Sequence, residues 1–234
     1  CENDACRAWR HSRTCPPARS KDGSMNAAAD RADELAAQYN VSRESLSALR
    51  LYVDLLLTWQ RRINLIGPAT IESIWERHIH DSLQVLPLIP KGTTAIAELG
   101  SGAGIPGLIV AIAGRYEAHL YDSNSKKSAF LREAIRQTGI RAQVHTQRLE
   151  KIKTDPHLPK VQCVLARALA PLPLLLDYAE PFLKAGAIGL FHKGQDVDLE
   201  LTEATKYWTL NVSKHPSAVD SRGVILEVRE ATRV

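Results

Sequence analysis

The sequence predicts an α/β protein, with a seven-stranded, mostly parallel sheet covered by helices, a C-terminal antiparallel hairpin, and a helical extension in front. Three observations carry this expectation. From Asp30 to Leu88 the apolar residues recur at the three-to-four spacing of helices. After Lys91-Gly92, short apolar runs alternate with amphipathic ones, the rhythm of a parallel sheet covered on both faces. The last two apolar runs have no helix between them, so they should pair antiparallel at the sheet edge.

In the extension, "ADRADELAAQYN" is Ala-rich and ends at Asn40. Ser42 stands where an N-cap belongs, with Glu44 in the turn that follows. Leu46, Leu49, Val53, Leu56 and Ile63 then form one stripe, expected to run until Gly67-Pro68 stops it. A further helix is expected over "TIESIWERHIHDSLQVLPLI", with Ile71, Ile74, Trp75, Ile79 and Leu83 on one side. In the sheet region, "TAIAEL", "EAHLYD", "AQVHTQ", "VQCVLARA" and "AIGLFHK" read as five strands. Helices between them are "GIPGLIVAIAG", "NSKKSAFLREAIRQTG" closed by Gly139, and "PLPLLLDYAEPFLKAG" ended by Gly186. After a helical "DLELTEATKYW", the runs "TLNVSKH" and "GVILEVRE" make the final hairpin. The expected division is a leader over 1–24, a helical extension over 25–90 and a catalytic domain over 91–234.

Composition sets bounds on this plan. The chain has 234 residues, 44% hydrophobic and 24% charged, as in globular proteins. No apolar run approaches the roughly 18 residues needed to span a bilayer, and no apolar secretory core opens the chain. A cytoplasmic protein without membrane contact is expected. The formal charge is +4, of which residues 1–24 supply +2 through five Lys/Arg against three Asp/Glu. The balance is compatible with RNA binding without requiring it. Cys1, Cys6 and Cys15 lie in the polar first 24 residues, and Met25 is the only methionine. That segment reads as a tag, a scar or upstream translation before a start at Met25, or as a genuine disordered leader. Cys163 is expected to be a small buried apolar group.

Ligands of open α/β sheets sit beyond the carboxyl ends of the strands. In "AIAELGSGAGIPG", Gly100, Gly102 and Gly104 fall at that edge, and the helix expected near Ile105 would point its N-terminal N–H groups at the loop. Gly102-x-Gly104-x-x-Gly107 also satisfies the dinucleotide fingerprint, so the loop alone leaves NAD open. Asp122 ends the second strand, 22 residues after Gly100, where an acid accepts ribose hydroxyls. The alternative is a helix cap, since Asp122, Ser123 and Asn124 all precede a helix. In "RLEKI", Leu149 and Glu150 are in range of an adenine amino group. Seven strands with a terminal hairpin differ from the six-stranded dinucleotide fold and point to the Rossmann-like fold of S-adenosylmethionine-dependent methyltransferases.

Six motifs in order then resemble one family: "RHIHDS" (77–82), "ELGSGAGIPG" (98–107), "YDSNSKKSAFL" (121–131), "RLE" (148–150), "ARAL" (166–169) and "HKG" (192–194). The set resembles the ribosomal RNA small-subunit methyltransferase G family, also called GidB, from about Tyr52 to Val228. Glu98 stands where the family often has Asp, and Ala103 where Pro is common. The resemblance implies a bacterial enzyme that moves a methyl group from S-adenosylmethionine to N7 of a guanine in 16S ribosomal RNA, free or in the small subunit. It implies that Gly100 and Ile105 line the cofactor, that Asp122 takes the ribose with Ser123 beside it, and that Leu149 and Glu150 flank the adenine. Arg167 would contact cofactor or substrate. A metal-free monomer is expected.

Guanine N7 carries a lone pair and no hydrogen, so no dedicated base is expected. Rate should come from alignment and from polar groups that grip the guanine. Candidates are His78, Asp81 and Ser82, together with Arg77. By α-helical spacing His78 shares a face with Ser82, and Arg77 with Asp81, with a surface ion pair and buried hydrogen bonds as the alternative. Arg167 and Lys193 end the fourth and fifth strands, where Arg167 would meet a methionine carboxylate or an RNA phosphate and Lys193 RNA or solvent. Arg61, Arg62, Lys126, Lys127, Arg132 and Arg136 are candidates for a basic track. On this reading Glu98 lies beside the methionine amino group. A small-molecule or protein methyltransferase, an NAD-dependent oxidoreductase and a non-enzymatic RNA-binding module remain as competing readings.

Overall fold

The structure is a computed structural model that describes residues 21–234, with side chains described from Asp30. The expected leader lies outside the described residues as far as Ser20, and so do Cys1, Cys6 and Cys15. Lys21–Ser24 form the start of the first helix instead. Helix α1 spans Lys21–Gln38 and α2 spans Arg43–Gln60. Ser42 caps α2 as its sequence position suggests, its Oγ accepting the Ser45 N–H at 3.2 Å.

Helix α2 stops at Gln60, seven residues before Gly67. The Gln60 side chain causes this: its Oε1 accepts the N–H groups of Leu65 and Ile66, and its Nε2 donates to Ile66 O. One amide thereby holds the turn that replaces the last helical turns. The stretch expected as one helix from Thr70 to Ile89 is also broken. A 3₁₀ turn at Pro68–Thr70 leads to a π-helical segment at Trp75–His80, one α-turn at Asp81–Leu83 (α3) and a second 3₁₀ turn at Leu86–Leu88. The Asp81 N–H reaches Glu76 O, five residues back. That wider turn rotates the side chains away from α-helical spacing.

The strands are β1 (Ala95–Leu99), β2 (Glu117–Tyr121), β3 (Ala142–His145), β4 (Cys163–Arg167), β5 (Ile188–Lys193), β6 (Trp208–Pro216) and β7 (Val224–Arg233). Helices α4 (Gly107–Gly114), α5 (Ser125–Thr138), α6 (Leu172–Lys184) and α7 (Val197–Ala204) connect them. The order is β3-β2-β1-β4-β5-β7-β6, with β7 antiparallel to both neighbours. The terminal hairpin therefore forms one edge of the sheet, with β7 between β5 and the edge strand β6. β1 and β4 are parallel neighbours, and the order in which strands are added reverses between them, so the loops after these two strands flank the crevice where α/β sheets bind ligands.

Two cores cover the two faces. On one, Ile96, Cys163, Leu165 and Leu190 pack with α4, α5 and the α2 stripe of Leu49, Val53 and Leu56. On the other, Ala97, Leu99, Val164, Ala166 and Phe191 pack with α6. Alternation along each strand decides what reaches each side. Arg167 and His192, paired across β4 and β5, continue the face of Leu165 and Leu190 toward Trp75–Leu83. Lys193 continues the face of Phe191 toward α6 and α7. Each buried Leu of the α2 stripe contributes roughly 1.5–3 kcal/mol, so the extension is packed on the sheet layer through a shared core. No helix among the described residues is long and apolar enough to cross a membrane.

Candidate active site

The loop after β1 is held from three sides. Asp122 Oδ2 accepts the Gly102 N–H and Oδ1 accepts the Asn124 N–H, both at 2.7 Å. The cap of α5 is Asn124, whose Oδ1 accepts from Lys126 and Lys127. Asp122 itself braces the loop and keeps lone pairs to spare. From below, the buried Tyr52 of α2 donates its hydroxyl to Ala103 O at 2.8 Å. At the rim, Gly100 has φ +70, and a Cβ there would lie 2.5 Å from Leu169 Cδ1. The loop after β4 thus leans directly on the backbone of the loop after β1.

Glu98 lies under this loop. It is 1% exposed, its Oε1 accepts the Gly107 N–H at 2.7 Å, and its Oε2 has no hydrogen-bond partner among the described residues. A Cβ on Gly107 would meet Glu98 Cβ at 2.6 Å, so only glycine lets the carboxyl fit there. Burial, only partly offset by the Gly107 hydrogen bond, raises its pKa to about 8. At neutral pH Glu98 is therefore mostly a neutral acid. The first N–H groups of α4 are all used, going to Glu98, Gly104 O and Pro106 O. The helix begins at Gly107 with Pro106 as its N-cap, two residues beyond Ile105, and its first N–H groups are taken by the protein. The N–H groups expected to face a ligand are thus hydrogen-bonded to the protein itself.

A cleft of about 360 Å³ opens between the loops after β1, β2, β3 and β4. Gly100, Asp122, Ser123, Leu149 and Glu150 line it, with Lys127 at its edge. Glu98, Gly102, Gly104, Ile105 and Arg167 do not line it: Glu98 is buried under the loop, Gly104 and Ile105 pack toward Leu108 and the core beside α4, and Arg167 faces the neighbouring cavity. The structure adds residues that pattern reading missed: Tyr121, Gln147, Leu169 and Tyr178 also line the cleft. Tyr178 donates to Glu150 Oε1 at 3.2 Å. Tyr121 stacks on His145 at 4.3 Å between ring centroids. Tyr121 OH and Gln147 Nε2 are buried without hydrogen-bond partners among the described residues. No sequence period marks these residues; only sheet register brings them together.

Beside the cleft, Arg167 is gripped by the Trp75–Leu83 segment. Its Nε bonds Asp81 Oδ2 at 2.9 Å, Nη1 meets His78 Nδ1 at 3.1 Å, and Nη2 donates to Arg77 O at 3.0 Å. Thr70 Oγ1 donates to Gly67 O, so it accepts from His78 Nε2–H at 2.7 Å. His78 is therefore the neutral Nε2–H tautomer, with Nδ1 accepting from Arg167. Burial, aided by the Arg167 charge, lowers its pKa to about 4. Asp81 is further held by Gln84 Nε2 at 2.7 Å, and its backbone O meets His192 Nε2 at 2.8 Å. Ser82 is fully buried and donates to His78 O at 2.6 Å. The surface ion pair that stood as the alternative for Arg77 and Asp81 does not form, because the π-turn swings Asp81 to Arg167 and leaves Arg77 3.9 Å from Asp220.

Lys193 is neither solvated nor free. Its ammonium pairs with Glu200 of α7 and donates to Ala170 O at 3.1 Å. Glu200 also accepts the Leu172 N–H, so the cluster ties α6 and α7 to the strand end. Of the basic candidates, Arg132 donates to Thr146 and Arg136 pairs with Glu133. Cys163 is buried and its thiol pKa is pushed up by desolvation, an inert apolar filler. Among the described residues no group of three or more His, Cys, Asp or Glu is placed to hold a metal ion.

The profile of the family described as "rRNA small subunit methyltransferase G" matches residues 45–225. The chain belongs to the rRNA small subunit methyltransferase G family. A ribosomal RNA small subunit methyltransferase G from Rhodospirillum rubrum is 48% identical over 201 residues, covering 86% of this chain and 98% of that protein. The one from Paramagnetospirillum magneticum is 45% identical over the same length, covering 86% and 96%. A solved structure of M. capricolum TrmK with S-adenosylhomocysteine aligns with TM-score 0.49 and 15% identity, over 64% of this chain and 67% of that one. The methyltransferase G match starts within α2 and ends in β7, so it takes in both the glycine loop and the segment that grips Arg167.

Proposed function

We propose that this chain methylates small-subunit ribosomal RNA, taking the methyl group from S-adenosylmethionine and delivering it to N7 of a guanine in 16S RNA. The observation that carries the cofactor assignment is the cleft beyond β1 and β4, with Asp122 at its edge and two unpartnered polar atoms, Tyr121 OH and Gln147 Nε2, beside it. Its shape and acceptors suit an adenosine: a carboxylate for a ribose diol, apolar Leu149 and Leu169 for a purine face, and Glu150 for an exocyclic amine. When bound, S-adenosylmethionine supplies a sulfonium methyl group whose transfer to N7 requires no proton to be removed first.

The protein's task is then placement. Asp122 receives the ribose while it holds the loop after β1, so cofactor affinity and loop shape share one carboxylate. Leu149, Glu150 and Ser123 surround the adenosine end. Arg167 acts as a fixed post between the cleft and the next cavity, with its guanidinium direction set by Asp81, His78 and Arg77 O. A neutral His78 suits that role, since a charged ring would repel the guanidinium. Two N–H bonds of Arg167 remain beyond these three contacts, enough for one acceptor of the substrate or cofactor. In this reading residues 25–90 are a helical extension whose work is to support the loop through Tyr52 and to grip Arg167, and residues 91–234 are the catalytic domain. The enzyme acts as a monomer in the cytoplasm without a metal.

The test is transfer of a labelled methyl group to small ribosomal subunits or naked RNA that lack the modification. Label in 7-methylguanine of 16S RNA is expected. Calorimetry should give heat with S-adenosylmethionine and none with NAD; the reverse result would exclude this cofactor assignment.

A further inference from the structure

A second cavity, of about 220 Å³, adjoins the cleft and is not used by the cofactor reading. Arg77 and Asp81 bound it on one side, Arg167 and His192 on another, and the β6–β7 loop with Asp220 closes it. Ala168, held in a left-handed conformation at φ +50, lines both this cavity and the cofactor cleft. The cavity, about 220 Å³, has room for one base.

Asp220 is fixed in place. Its N–H donates to Ser217 Oγ at 3.2 Å, its carbonyl accepts from Gly223 at 2.8 Å, and its Oδ1 accepts the Arg222 N–H at 3.0 Å. The loop ends are tied by the Ser217 N–H to Gly223 O at 2.9 Å. Oδ2 accepts no hydrogen bond among the described residues; Arg77 Nη1 at 3.9 Å from it and Arg222 Nε at 3.9 Å from Oδ1 are ion-pair contacts, too long to occupy its lone pairs as hydrogen bonds. Asp220 thus offers a carboxylate oxygen with spare capacity to a base-sized cavity next to the cofactor cleft.

Guanine is the base whose Watson–Crick edge presents two adjacent donors, N1–H and the 2-amino group; adenine presents an acceptor at N1. We propose that this cavity receives the acceptor guanine and that Asp220 reads its N1–H and 2-amino edge. This rests on the reading of the chain as a guanine-N7 methyltransferase. A guanine held by that edge leaves N7 on the far side of the ring, free to meet the methyl group. As N7 is methylated the ring gains positive charge and its N1–H becomes more acidic. A carboxylate on that hydrogen therefore binds the transition state more strongly than the ground state. Asp220 contributes to turnover as well as to recognition.

Asp220→Asn is tested on small subunits that lack the modification, with S-adenosylhomocysteine affinity measured alongside. We expect kcat/KM to fall about 10- to 100-fold, with part of the loss in kcat, and cofactor affinity to stay within about twofold. Unchanged kcat/KM, or an equal loss of cofactor affinity, overturns the proposal. Independent of that variant, GMP added to the wild-type protein with S-adenosylhomocysteine should shift the amide NMR signals of residues 217–223, IMP should do so more weakly, and AMP should not. Equal shifts with GMP and AMP, or none with GMP, overturn it as well. If the wild-type protein labels no RNA at all, the functional reading fails instead, and the two outcomes are distinct.

Discussion

Replacing Asp122 by Asn separates the two jobs assigned to this carboxylate. Asp122 accepts one backbone N–H on each oxygen, from Gly102 and from Asn124. Asn has a single acceptor oxygen, so one of those N–H groups must face an amide NH₂. The loop loses one charge-assisted hydrogen bond and gains a donor–donor clash, which costs about 1–2 kcal/mol for a partly exposed site. For a domain of this size that lowers Tm by about 2–4 °C per kcal/mol. The ribose contact weakens separately, because a neutral amide is a poorer acceptor for a diol, and cofactor affinity should fall about 10- to 100-fold in total. The assay is calorimetry with S-adenosylhomocysteine and with its 2′-deoxy analogue. Wild-type protein should prefer the ribose form, and Asp122→Asn should lose most of that preference. If the variant discriminates as well as wild type, the ribose contact is made elsewhere and Asp122 only braces the loop.

Three further outcomes follow from the same geometry. Tyr52→Phe leaves Ala103 O without its buried donor and should cost about 1–3 kcal/mol by urea unfolding, with weaker cofactor binding; unchanged values of both would remove the extension's supporting role. Glu98 has a folded pKa of about 8 against an ordinary 4.5, so the folded state binds the extra proton and wild-type stability falls as pH rises through that window. Glu98→Gln should be close to wild type near pH 4.5 and more stable by a few kcal/mol near pH 8; equal pH profiles in denaturant titrations would contradict the burial argument. His78, with its pKa near 4, should stay neutral and Nε2–H in ¹⁵N NMR at pH 5.5. A protonated ring there would mean that the contact with Arg167 is absent.

Much of the fold could be read from the sequence because its signals are local. Strand alternation, the Ser42 cap and the glycine stops at Gly139 and Gly186 each act within a few residues. What could not be read was set by contacts between distant segments or by irregular backbone. Gln60 ends α2 early by hydrogen-bonding the chain ahead of it, and no helical period reports that. The π-turn at Trp75–His80 breaks the 3.6-residue rule that put Arg77 and Asp81 on one helix face, and Asp81 pairs with Arg167. Within the site, Asp122 and Leu149–Glu150 were visible because they follow strands at fixed topological positions. Gln147, Tyr178 and Asp220 carry no motif, and only the folded sheet edge brings them to the cavities. By sequence Lys193 meets RNA or solvent at a strand end, but sheet alternation turns it onto the α6–α7 face beside Glu200.

The most direct test of the account is to map the methyl group. Small subunits without the modification are incubated with the protein and methyl-labelled S-adenosylmethionine, and the RNA is then cleaved chemically at 7-methylguanine. A single labelled guanine in 16S RNA, with labelling weakened in step with cofactor affinity in Asp122→Asn, is the predicted result. Label confined to protein or small molecules, or placed on a base atom other than N7, would contradict it.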